Sequence, residues 1–130
     1  MRGASALQTV MAELQGKPVR LFVVWEPVIM TDLAPPTTGV LSRVSDPRAV
    51  QLWDRSRALS GLLVRTARKE WKDSPQVEAL KDDSIVWDCV LVFSAGRRWE
   101  KAPPRPDFAD CPVVNVIDAV RKSLAESAGV

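Results

Sequence analysis

The chain has no histidine, no tyrosine and only two cysteines among its 130 residues. Without an imidazole it cannot build Ser-His-Asp or Cys-His nucleophilic machinery, a His-ligated zinc or haem site, or a histidine general base of its own. No apolar run approaches the about 20 residues that a membrane-spanning helix needs. The N-terminal ASALQTVMAELQ is interrupted by Gln, Thr and Glu, so it lacks the continuous apolar core of a signal peptide. The expectation is a soluble, cytoplasmic protein, although a leader already removed would leave no trace. Neither charge dominates: 18 basic against 16 acidic residues give a net +2, which permits an acidic partner but lacks the concentrated basic footprint of a nucleic-acid binder. Any catalysis would fall to carboxylates, Lys or Arg, hydroxyls or the two thiols.

What is present is ordinary globular material, 46% hydrophobic and 26% charged. A chain of this length can bury a core without disulfide staples, so a single domain, 1–130, is expected. Ser5 to Gln8 fits a capping box, and Leu7, Val10, Met11 and Leu14 recur on one helical face before Gly16 supplies a stop. Val19 to Trp25 is apolar on both faces, the pattern of a central strand covered by helices on each side. Pro27 ends its pairing, and Glu26 to Val44 forms a long Pro/Thr loop of the kind that often carries function.

Ser45-Asp46-Pro47 reads as a helix start, with helix continuing or restarting from Asp54 to Arg68 and Gly61 weakening its middle enough to allow a bend. Lys69 to Ser84 reads as a solvated connection with one helical turn around Val77 to Leu80. Ile85 to Phe93 is the second clear strand, placing Trp87 in the core, and Ser94 to Arg97 turns into a return strand over Arg98 to Glu100. A last helix, capped at Asn115, would turn Ile117, Val120 and Leu124 inward.

Ligands of open α/β sheets bind beyond the carboxyl ends of the strands. That rule gathers Glu26, Thr31, Asp32, Thr37, Thr38 and Asp46 into one candidate site. Carboxylates there could split acid and base roles or hold Mg²⁺; alternatively Asp46 caps a helix and the two threonines satisfy loop backbone groups. Asp88, set in an apolar strand, needs a partner such as Arg20, Arg43 or Arg98. Cys89 and Cys111 belong to no C-x-x-C pair and read as a buried small hydrophobe and a loop thiol. Arg48, Arg55, Arg57, Arg65, Arg68 and Lys69 form a basic helix surface, which interspersed acids make an ordinary solvated face.

The W-x-P-V strand end at Trp25 to Val28, the D-P-R…W-D segment from Asp46 to Asp54 and the later Trp87-Asp88 resemble bacterial redoxin-related domains of the thioredoxin-like class. That resemblance implies a sheet of about four strands flanked by helices. It also puts the two cysteine positions of a dithiol motif near Ile29 and Asp32, neither of which is Cys, so dithiol exchange in that loop is lost. The resulting expectation is a binding module without cofactor, using the loop after the first strand to hold a protein or small-molecule ligand. The alternatives are a thiol oxidoreductase using Cys89 or Cys111, or a carboxylate/Mg²⁺-dependent hydrolase using Glu26, Asp32 and Asp46.

Overall fold

A computed structural model of the chain describes residues 2–29, 33–81 and 85–127. They form a mixed α/β protein in two compact units, Met1–Ala58 and Leu59–Val130. The strands make two separate two-stranded sheets rather than one sheet of four.

In the first unit helix α1 (Arg2–Glu13) precedes strand β1 (Leu21–Trp25), the short helix α2 (Thr38–Leu41) and strand β2 (Ala49–Trp53). Gly16, at φ 77°, lets the chain leave α1 in the left-handed conformation that glycine adopts without penalty. β1 and β2 are parallel, with Leu21 opposite Ala49 and Trp25 opposite Trp53. The D-P-R segment therefore opens into a strand, not a helix. Val50, Gln51 and Leu52 alternate with the period of two that suits a strand, and tertiary pairing overrides the helix-start signal of Ser45-Asp46-Pro47.

Polar clamps hold this unit together. Arg48 donates through Nη1 to the carbonyls of Leu14 and Lys17 and through Nη2 to that of Met11, at 2.7, 3.1 and 2.6 Å. A cation there complements the carboxyl end of α1, and its hydrogen bonds add to those the same three carbonyls accept from the backbone N–H groups of Leu14, Lys17 and Val19. Gln8 does not reach back along its own helix as a capping box requires; its Oε1 accepts from the backbone N–H groups of Ser45 and Asp46. Gln51 takes the indole N–H of Trp25 and donates to the carbonyls of Leu41 and Val44.

The opposite face of the ladder is open. Phe22, Val50 and Leu52 are 58, 40 and 50% exposed, whereas a run apolar on both faces implied cover on each side.

The second unit is built from helix α3 (Ala58–Lys69), a 3-10 helix (Pro75–Leu80), strands β3 (Val90–Val92) and β4 (Phe108–Asp110), and helix α4 (Val113–Ser127). α3 begins four residues after Asp54 and runs unbroken through Gly61. Its Leu63 and Ala67 pack with Trp71, Val77, Leu80 and Ala109. The charged connection after α3 is thus part of the core, since three of its apolar residues converge there. β3 and β4 are antiparallel, Val90 opposite Asp110 and Val92 opposite Phe108. The return strand comes from residues 108–110, not from Arg98 to Glu100. α4 starts at Val113, two residues before the expected cap, and buries Val120.

Only three residues of the expected 85–93 strand pair. Before them Asp88 takes φ 52°, a left-handed turn that ends the extended run, and its carbonyl accepts from Val113 N–H. Trp87 is consequently not a core anchor but 62% exposed. Asp88 is exposed as well, so it needs no buried arginine.

Candidate functional site

The parallel register brings the carboxyl ends of β1 and β2 side by side, and Asp54 N–H extends the ladder by donating to the carbonyl of Trp25 at 2.8 Å. The chain leaves β1 through Pro27, Val28 and Ile29. It leaves β2 through a turn in which Arg57 N–H donates to Asp54 C=O and Ser56 Oγ to Asp54 Oδ1, each at 3.3 Å. Arg57 holds φ 58° there, a conformation uncommon for a residue with a side chain.

A cleft of about 620 Å³ lies at this end of the strands, lined by Pro27, Val28, Ile29, Leu33, Arg55, Ser56 and Arg57. Four of these side chains are apolar and two are guanidinium cations. Ile29 and Leu33 are 50 and 61% exposed, an uncommon degree of solvent contact for large aliphatic groups lining one depression. Neither Arg55 nor Arg57 forms an ion pair among the described residues. Glu26 and Asp54, the acids at the start of each exit, both have interactions of their own.

The six residues gathered by sequence do not form one site. Thr31 and Asp32 lie outside the described residues. Glu26 follows β1 directly and is half-buried beside the cleft, although it is not among the lining residues. Thr37 caps α2, its hydroxyl accepting from Val40 N–H at 3.3 Å, and Thr38 is the exposed first residue of that helix.

Asp46 belongs to the other end of the sheet. It precedes β2, while Glu26 follows β1, so in a parallel pair the two are separated by a five-residue strand, about 16 Å at the usual rise. Asp46 is buried, and both its oxygens are engaged: Oδ1 accepts from the Arg48 backbone N–H and Nε, and Oδ2 from Nη2 at 2.9 Å. Hydrogen bonds from the Arg48 side chain, then its backbone, hold the Asp46 carboxyl down at about 2. Such a carboxylate is occupied by its arginine and has no oxygen to spare for a metal. No group of three or more potential metal ligands occurs among the described residues.

Cys89 and Cys111 are joined in a disulfide rather than being an isolated buried residue and a loop thiol. Continuing the β3–β4 register one step beyond Val90 and Asp110 puts them opposite each other, with Cα atoms 4.4 Å apart. Spacing in sequence gives no sign of this, because the two cysteines stand 22 positions apart and only tertiary structure brings them together.

The segment after β1 that the sequence marks as a candidate site contributes Pro27, Val28 and Ile29 to the cleft, whereas Arg55, Ser56 and Arg57, which the sequence pattern assigns to a solvated helix, line it from β2. The period-two apolar pattern at Val50 and Leu52, ending in Trp53-Asp54, was the available sign that a second strand would deliver them there. No family model, curated protein or solved structure matches the chain.

Proposed function

We propose that this chain is a non-catalytic binding module whose site is the cleft beyond the carboxyl ends of β1 and β2. The observation that carries the reading is the convergence of two strand exits on one apolar depression with two cations. Parallel strands direct their carboxyl ends, and the connections that follow, toward the same side, which is where open α/β sheets hold ligands. The likeness to thioredoxin-like domains enters this proposal only as the position of the site, after the first strand. The anionic apolar dye 1-anilinonaphthalene-8-sulfonate is a suitable probe. Its titration into ¹⁵N-labelled protein is expected to shift the amides of Ile29, Leu33 and Arg55 to Arg57, and Ile29→Ser/Leu33→Ser is expected to abolish those shifts. Shifts confined to other exposed apolar residues, such as Phe22 and Leu52, would refute the site.

The bridge between Cys89 and Cys111 supports a second reading, a thiol oxidoreductase. A substrate dithiol would pass two electrons and two protons to the bridge, leaving two protein thiols and a substrate disulfide. Turnover with dithiothreitol as donor and a small aromatic disulfide as acceptor, lost in Cys89→Ser/Cys111→Ser, would establish it. Turnover no faster than the uncatalysed exchange would exclude it.

A further inference from the structure

We propose that the occupant of the cleft is an acidic peptide segment bearing at least one large apolar side chain, an inference that rests on the binding-module reading. Pro27, Val28, Ile29 and Leu33 offer an apolar surface, and Arg55 and Arg57 add two positive charges from one turn. Guanidinium groups form planar, paired hydrogen bonds with carboxylates, so the site complements Asp or Glu side chains flanking an aliphatic or aromatic one.

The form of the cleft favours a peptide over a small molecule. Ile29, Leu33, Arg55, Ser56 and Arg57 are exposed, and only Pro27 and Val28 are half-buried. Small-molecule sites enclose most of their ligand's surface; five of the seven residues lining this one are exposed, so a ligand seated on it keeps much of its own surface in water, as a peptide segment of a larger partner does. A nucleic acid fits poorly, because the described residues lining the cleft include no aromatic ring on which bases could stack.

The test uses the intact ¹⁵N-labelled chain and three probes. One is a degenerate pool of short capped peptides drawn from Asp, Glu, Leu, Ile, Phe and Gly; the second is the same pool with Lys and Arg replacing the acids; the third is decanoate. The acidic pool is expected to shift the amides of Ile29, Leu33 and Arg55 to Arg57. Arg55→Gln/Arg57→Gln should weaken that binding by about tenfold or more, since both charges meet the ligand directly. Added salt should weaken it in the parent protein, a measurement that needs no variant to fold. Equal binding of the basic pool at the same amides, or no response to the double substitution and to salt, would overturn the acidic class while leaving the cleft as the site. Decanoate shifting these amides when the acidic pool does not would overturn the peptide and make the ligand a small amphipathic acid. Silence of the cleft amides toward all three probes would remove both the inference and the reading beneath it.

Discussion

Asp46 presents both carboxylate oxygens to Arg48, two residues on, while the same guanidinium reaches back to three carbonyls at the end of α1. The pair locks the chain between α1 and β2, and the hydrogen bonds from Arg48 lower the Asp46 pKa from 3.8 to about 2. Between those values the unfolded chain binds the proton that the folded chain refuses, so stability rises with pH across that window. The contribution is complete above about pH 4 and is lost as the pH falls through about 2. Urea midpoints measured from pH 2 to pH 5 should climb more steeply for the parent than for Asp46→Asn. Parallel curves would mean that the ion pair contributes nothing to the acid limb.

The bridge from Cys89 to Cys111 closes a loop of 22 residues beside a ladder of only three residue pairs. Loop-closure entropy for that length corresponds to about 3 kcal/mol of stabilisation. Cys89→Ser/Cys111→Ser, or reduction of the parent with dithiothreitol, should lower stability to denaturant by roughly that amount. Bridges of this kind persist mainly in oxidising surroundings, so the loss also measures what the chain would forfeit in a reducing one. An unchanged midpoint after complete reduction would show that β3 and β4 hold without it.

Two tryptophans reverse the roles their sequence neighbourhoods implied. Trp71, among charged residues, is 7% exposed in the core with Leu63, Val77 and Leu80, whereas Trp87, inside an apolar run, is 62% exposed. Trp71→Ala should cost about 3–5 kcal/mol through lost burial and the cavity left behind. Trp87→Ala should stay within about 0.5 kcal/mol of the parent, as surface substitutions usually do. Chemical denaturation of the two variants side by side decides the matter; the opposite order would invert the assignment.

The helices were readable where side chains recur every three to four residues, as at Val10 and Met11 of α1 and Val120 of α4. β1 was readable from five consecutive apolar residues. β2 was not, because Asp46-Pro47 carries a helix-start signal whose acid is in fact taken by Arg48, a contact fixed by folding rather than by local propensity. The candidate site shared that fate. Pro27 to Ile29 were legible as the segment after a strand, whereas Arg55 and Arg57 acquired meaning only once β2 ran parallel to β1 and delivered its exit to the same side. Covalent pairing of Cys89 with Cys111 depends likewise on a register that no spacing rule encodes.

Arg57 combines an uncommon backbone with an exposed cation at the cleft, so stability and binding should separate there. The left-handed conformation costs a residue with a Cβ about 1–2 kcal/mol. Glycine removes that cost but adds about 0.4–1 kcal/mol of unfolded-state entropy. The balance leaves Arg57→Gly more stable than the parent by up to about 1.6 kcal/mol. The same change deletes one of the two cations lining the cleft, so under the proposed binding role affinity for the acidic peptide pool should fall while the melting temperature rises. Arg57→Lys keeps both the strain and the charge and should therefore match the parent in stability, with weaker binding only to the extent that a paired carboxylate contact is lost. A glycine variant less stable than the parent would mean that the Arg57 side chain contributes more to folding than its backbone conformation costs.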